Sequence, residues 1–309
     1  MKIYFSILLA LIQIFSPLSP DKSKLPESEI INIKDIPSLN SSTELSSPDI
    51  KAISAIVYDC KTNEILYTKN ADEKIAPASL TKLLTALTAL QYVSADTEFT
   101  IGNEIGMIHS DSSSCHLKVG QKIQLKTLLY GLLLPSGCDA AYAVAVNVVK
   151  EINTISNMNN EKALDFFVYL MNKQAKKIGM KNSNFKSPDG YDEDSQYITA
   201  YDMLKLTVAA LNNPVIREIV GTYSKTAYYN SGDAVVWENT NNFLNPDSQY
   251  YNPNIYGVKT GSSAKAGMSV ACAYKDDNSS IITVVLGCES FWDRYMETEK
   301  LISWVNQQS

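Results

Sequence analysis

The sequence predicts an α/β (α+β) chain: an antiparallel sheet built from both chain ends, flanked by helices, with an inserted all-helical lobe. Three observations carry this reading. Strand signals cluster at residues 52–68 and 255–287, the strong helical periodicities lie between them, and a last amphipathic run follows at 292–305. Strands at opposite ends of a chain can share one sheet only if the ends meet, which leaves the middle as a lobe of its own.

The elements follow in order. Residues 52–59 are apolar and β-branched, Cys60-Lys61-Thr62-Asn63 turns, and residues 64–68 resume, which reads as a hairpin. Within residues 79–92, Leu80, Leu83, Leu84, Leu87 and Leu90 recur at helical spacing. Further helical runs occupy 125–134, 140–151, 161–178 and 199–212, and Thr199-x-x-Asp202 resembles a capping box at the last. Residues 255–260, 267–274 and 279–287 read as three late strands, with Lys275-Asp276-Asp277-Asn278 as a tight turn.

Composition narrows the function classes. The chain has 309 residues, 45% apolar and 19% charged, with a formal net charge of −6. It has no basic excess to hold a phosphate backbone, which excludes nucleic acid. It has no apolar run of about eighteen residues, which excludes a multi-pass membrane protein. Two histidines, His109 and His116, leave little room for a His-rich metal site, and neither metal nor cofactor is expected. Met1-Lys2, an apolar stretch over 3–15 and a Pro/Ser break read as a secretory signal over 1–16, cleaved or kept as an anchor. Residues 16–50 hold five prolines, nine serines, no glycine and no aromatic residue, so 17–50 reads as a disordered linker. One catalytic domain over 51–309, with its helical lobe at about 95–245, completes the expected organisation. Five cysteines without CxxC spacing argue against a zinc ribbon, and their odd number leaves at least one thiol outside any internal disulfide.

Three short segments carry the chemistry. In Ser79-Leu80-Thr81-Lys82, Pro77 suits a helix start, and residues three apart share a helix face. The rest of that helix is Leu, Ala and Thr, so it is expected to be buried, where desolvation disfavours a lysine ammonium. A neutral amine beside a serine hydroxyl is a nucleophile with its base. The competing reading is a capping serine with a surface lysine. In Pro135-Ser136-Gly137-Cys138-Asp139, a polar turn between helical runs places Ser136 to relay a proton, or else merely connects helices with Asp139 as cap. In Lys259-Thr260-Gly261, a cation, a hydroxyl and a glycine suit an anionic ligand lying against a strand, or else an edge strand protected by lysine.

Taken together and in this order, the segments resemble the serine D-alanyl-D-alanine carboxypeptidases, the low-molecular-mass penicillin-binding proteins of the β-lactamase-like superfamily. The resemblance spans about residues 52–305. It rests on Pro77-Ala78-Ser79-Leu80-Thr81-Lys82, Leu132-Leu133-Leu134-Pro135-Ser136-Gly137, Ser187-Pro188-Asp189-Gly190-Tyr191-Asp192 and Gly257-Val258-Lys259-Thr260-Gly261. It implies that Ser79 attacks the penultimate D-Ala carbonyl of a peptidoglycan stem peptide, that Lys82 takes its proton, and that Ser136 passes a proton to the leaving D-alanine. It also implies that Lys259 and Thr260, beside Gly261, hold the terminal carboxylate, and that the N–H groups of Ser79 and Ser262 form an oxyanion hole. β-Lactams would then be covalent inhibitors, and the enzyme would act outside the cytoplasmic membrane, touching it only through an uncleaved leader. One departure stands out: Cys138 occupies the place of the usual asparagine in Ser-x-Asn, where that side chain helps orient base and substrate. Two rivals share the resemblance. A β-lactamase would need a glutamate-activated water, for which Glu193 is a candidate, and a non-catalytic wall-binding or β-lactam-sensing domain would carry Cys138 as a mark of decay. Arg294 reads as a structural ion-pair partner.

Overall fold

The computed structural model describes residues 31–39, 48–152, 158–229 and 232–308. The leader expected over 1–16 and much of the expected linker lie outside these residues. In chain order the elements are β1 (Ser54–Asp59), β2 (Glu64–Lys69), α1 (Thr81–Tyr92), β3 (Glu98–Thr100), β4 (Lys122–Gln124), α2 (Leu125–Leu133), α3 (Cys138–Ile152), α4 (Asn160–Lys177), α5 (Ala200–Asn212), α6 (Pro214–Val220), β5 (Ser224–Tyr228), β6 (Ala234–Glu238), β7 (Ile255–Ser263), β8 (Gly267–Lys275), β9 (Ser280–Cys288) and α7 (Asp293–Asn306).

The chain ends meet as expected. The main sheet runs β2-β1-β9-β8-β7, antiparallel throughout, with Ala55 of β1 opposite Val285 of β9. Successive strand residues face opposite sides, and here both sides are covered. Ile56, Tyr58, Ile282 and Val284 join the large core with α1, α3 and α5, whereas Ala55, Val57, Ile281 and Val285 join a second core with Tyr295 and Leu301 of α7. Every residue of β9 is therefore buried, which explains its unbroken apolar run. α1 has no polar face for the same reason: residues 81–89 are all buried, because α3, α4 and α5 close round it.

The lobe is not all-helical. Two antiparallel ribbons lie within it, β3–β4 and β5–β6. Strands of three residues are too short to show alternation, and β5 and β6 bury only Ala227 and Trp237. α6 was also not anticipated, although Asn213 caps it through Val215 N and Ile216 N and Pro214 opens it. At α5 only half of a capping box forms. Thr199 accepts from Asp202 N, while the Asp202 carboxylate instead accepts from Asn182 N at 2.6 Å and Ser183 Oγ at 2.8 Å.

Part of the stretch expected to be a disordered linker is docked. Ile36 is buried in the large core, with Ile31 and Ile33 packed against it. Asn212 holds both main-chain groups of Ile31, and Tyr201 Oη donates to the Pro37 carbonyl at 2.8 Å. Three isoleucines in six residues supply apolar contact that the serine- and proline-rich average of the segment conceals.

Candidate active site

The three segments converge on one cleft of about 640 Å3 between the sheet and the lobe. Ser79 sits in a 3-10 turn, Ala78–Leu80, that runs straight into α1. One turn on, Lys82 is fully buried, and its Nζ lies 2.8 Å from Ser79 Oγ, 2.9 Å from the Asp189 carbonyl and 3.4 Å from Cys138 Sγ. These three contacts hold Nζ in place beside the serine hydroxyl. The Asp189 carbonyl gets this close because the next residue is glycine. Gly190 has φ +83°, and a Cβ there would fall 1.8 Å from the Ala78 carbonyl oxygen.

The lobe supplies the second wall. Ser136 takes the left-handed conformation, φ +64°, between α2 and α3. Its carbonyl accepts from Ser113 Oγ at 2.6 Å, while its own Oγ is buried without a partner among the described residues. A strained, unsatisfied serine in a cleft marks a place where structure is spent on function. Asp139 is not simply a cap. It accepts from Cys115 N at 2.9 Å, Leu117 N at 3.1 Å and Ser114 Oγ at 2.6 Å, and so pins residues 114–117 to the head of α3. Cys115 and Cys138 are both free thiols.

The sheet supplies the third group. Lys259 lies on the edge strand β7, but it is not an exposed edge lysine: it is fully buried, and its Nζ donates to the Thr260 carbonyl at 3.1 Å. Burial pushes its ammonium well below the usual lysine range, and neighbouring Lys82 and Arg294 push the same way. Thr260 Oγ1 lies 2.7 Å from Thr240 Oγ1. Gly261 serves the fold as much as any ligand, since a Cβ there would come within 3.1 Å of Leu80 and 3.2 Å of the Pro77 carbonyl. Its absence lets β7 lie directly against the Ser79 turn.

Arg294 departs from its expected role. Among the described residues its guanidinium meets no carboxylate; it donates to Ser262 Oγ at 2.9 Å and stacks 4.3 Å from the Phe291 ring, and it lines the cleft. Only two arginines stand among 27 basic residues, a bias that could have singled it out, since arginine suits planar anions better than lysine. Thr240 belongs to no motif, and the Asp189 carbonyl, although within the segment 187–192, is a main-chain group that leaves no signature in residue type. Glu193, the candidate base of the lactamase reading, is exposed and does not line the cleft.

The cleft mouth is bounded by residues 189–192. Tyr191 Oη donates to Asp111 at 3.2 Å, and its ring stacks on His109 at 3.6 Å. On the opposite side Asp192 accepts from Ser263 Oγ at 2.6 Å and Lys265 N at 2.9 Å.

Comparison with known proteins agrees with this geometry. The peptidase S11 family, described as D-alanyl-D-alanine carboxypeptidase, matches residues 41–290. The D-alanyl-D-alanine carboxypeptidase DacF of Bacillus subtilis is 31% identical over 264 residues, 84% of this chain and 63% of its own length, so the chain spans less than two thirds of that relative. A D-alanyl-D-alanine carboxypeptidase of Streptomyces sp. strain K15 is 30% identical over 271 residues, 85% of this chain and 89% of that one. The crystal structure of the Streptomyces K15 DD-transpeptidase superposes with a TM-score of 0.75 at 31% identity, covering 84% of this chain and 98% of that one. Solved variants of the K15 enzyme replace a cysteine by asparagine or alanine, and a serine two positions before it by alanine, the spacing of Ser136 and Cys138. Two others replace a serine and an arginine as far apart in sequence as Ser262 and Arg294.

Proposed function

Because this chain belongs to the D-alanyl-D-alanine carboxypeptidase family, we propose that it removes the terminal D-alanine from peptidoglycan stem peptides through an acyl-enzyme on Ser79. The observation that carries the reading is the 2.8 Å contact of Lys82 Nζ with Ser79 Oγ beside a cleft that Thr260 and Ser262 of β7 line from the other side. Ser79 Oγ attacks the penultimate D-Ala carbonyl while Lys82 takes the hydroxyl proton. The negative charge that develops on the carbonyl oxygen is met by the N–H groups of Ser79 and Ser262, a type of contact worth roughly 3–4 kcal/mol per donor. Lys259, Thr260 and Gly261 receive the terminal carboxylate, and Ser136 hands a proton to the departing D-alanine nitrogen. Cys138 takes the position beside Lys82 in which an asparagine amide would otherwise orient the base. Water then frees the shortened peptide and restores Ser79.

The rivals lose ground on the same geometry. Exposed Glu193 is no base for a deacylating water, and a decayed domain would have no reason to keep Ser79, Lys82 and Lys259 assembled. Transfer of the acyl group to an amine instead of water is a second reading, favoured by the K15 enzyme's designation as a DD-transpeptidase. It would show as a new amide product when glycine is added. β-Lactams, whose carboxylate imitates that of terminal D-Ala, are the expected covalent inhibitors. The substrate places the enzyme outside the cytoplasmic membrane, and the apolar residues 3–15 supply the route. Among the described residues no helix is long and apolar enough to cross a membrane.

Intact mass after brief exposure to benzylpenicillin tests the assignment. The parent chain gains one adduct and Ser79→Ala gains none; equal labelling of both would sink Ser79 as the nucleophile.

A further inference from the structure

The chain carries a second surface that the chemistry above does not use. We propose that the face formed by Phe291 and Trp292, backed by buried Tyr250, is a platform for the sugar polymer of the wall, an uncharged N-acetylated glycan strand lying across the cleft mouth. The inference rests on the reading of the chain as a wall-peptide hydrolase.

Phe291, Trp292 and Met296 cluster around the head of α7 and are 38%, 47% and 43% exposed. Their arrangement is built rather than incidental. The Trp292 indole stacks on Tyr250 at 5.6 Å and 22°, Tyr250 stacks on fully buried Tyr295 at 5.1 Å, and Phe291 packs edge-on against Trp292 at 4.6 Å. One indole face is thus fixed from below and the other is offered outward. Large rings held rigid and left exposed together mark an interaction surface.

The neighbouring chemistry selects the occupant. In the loop 241–254, Asn242 lines the cleft and Gln249 and Asn254 are exposed, with Asp247 the single charge. Amide side chains both donate and accept, which matches the hydroxyl and acetamido groups of a sugar, while a flat ring matches the C–H face of a pyranose. An anionic membrane surface is a poor fit, because exposed Asp247 and Glu289 are negative and the exposed Lys51 at the head of α7 lies 3.9 Å from Asp293. Continuity with the cleft supplies the rest. Asn242 and Phe291 line the cleft too, so the platform begins where the peptide site ends. A peptide borne on a glycan brings sugar to that mouth at high local concentration.

The experiment titrates the whole chain with chitotetraose, an uncharged N-acetylated tetrasaccharide, by calorimetry. Saturable binding is expected, about tenfold weaker in Trp292→Ala and unchanged in Tyr228→Ala, whose ring is exposed elsewhere. Trp292→Ala should release D-alanine from a soluble D-Ala-D-Ala tripeptide at the parental rate, and from insoluble wall sacculi several-fold more slowly. Penicillin labelling of Ser79 at the parental rate certifies the fold, and Trp292→Gln serves if the alanine variant fails that control. No binding by the parent, or equal binding by the variants, overturns the proposal. So does tryptophan-dependent binding to phosphatidylglycerol vesicles without binding to the sugar. Tryptophan-dependent sugar binding in a chain that penicillin leaves unlabelled would defeat the hydrolase reading and leave the platform standing.

Discussion

The two walls of the cleft are made in different ways. The sheet wall, residues 259–262, is placed by main-chain pairing with β8, so its backbone is fixed by the ladder before any side chain acts. The lobe wall, residues 136–138, is placed by single hydrogen bonds outside any ladder: Gly137 N on the Gly131 carbonyl, Cys138 N on the Ser113 carbonyl, Ser113 Oγ on the Ser136 carbonyl, Asp139 on residues 114–117, and Lys82 on Cys138. A ladder tolerates changes in the groups it carries, whereas a turn held by individual hydrogen bonds depends on each. Substitutions on the sheet wall should therefore change recognition, and those on the lobe wall should change structure and rate together.

The largest effect is expected where the walls meet. Lys82→Ala should lower the rate of penicillin acylation by about three orders of magnitude, the range of a lost general base, with thermal unfolding still cooperative. An acylation rate within tenfold of the parent would remove Lys82 from that role. Next comes the lobe wall. Asp139→Ala strands two buried backbone donors, Cys115 N and Leu117 N, and should destabilise the fold by about 3 kcal/mol while slowing acylation. Unfolding in urea beside the acylation rate would separate the two walls, because a stability loss without a rate loss would show that residues 113–117 do not shape the site.

Lys259→Met tests the sheet wall. The parent should prefer peptides ending in D-alanine over D-alaninamide by about 10–100-fold, and the variant should lose that preference. The same substitution has a signature in pH. Because the folded ammonium lies below the ordinary value of 10.5, the unfolded chain binds more protons between the two, so this group makes stability rise with pH across that window. Below the folded value its contribution is flat, with the burial penalty fully expressed. Lys259→Met should be more stable than the parent there and should lack the rise above it. An identical pH profile for both chains would contradict the depressed ammonium. The smallest effect belongs to Cys138→Asn, expected to keep the fold and raise acylation about two- to twelvefold, the worth of one neutral hydrogen bond. A slower variant would mean that the thiol contact with Lys82 already serves the base better than an amide.

The same division decides how much could be read from sequence. β1, β2, β7, β8, β9 and α1 are legible because alternation and helical spacing are local properties, and Ser79, Lys82, Ser136, Lys259 and Thr260 stand out as candidates because they sit in contiguous segments. Arg294 was taken for an ion-pair partner because its target, Ser262, lies in another element and no local pattern links them. The docking of Ile31, Ile33 and Ile36 was hidden because sparse isoleucines in a polar segment bury only against a surface that tertiary structure creates. Lys259 looked exposed because edge strands normally are; here the Ser79 turn covers the edge.

The pairing of β1 with β9 also sets the order in which this chain can fold. Ala55 meets Val285 only after nearly the whole polypeptide has been made, so the central strand pair closes one of the longest loops the chain could form. Contacts of such high sequence separation slow folding, since closure entropy is lost before any contact repays it. Until β9 arrives, β1 has an unsatisfied edge and an apolar face on each side, a species prone to join other chains. The main sheet therefore cannot close until the last strand is available. Truncation before Ser280 should accordingly give an aggregating product, even though all of the lobe and the Ser79 helix are present.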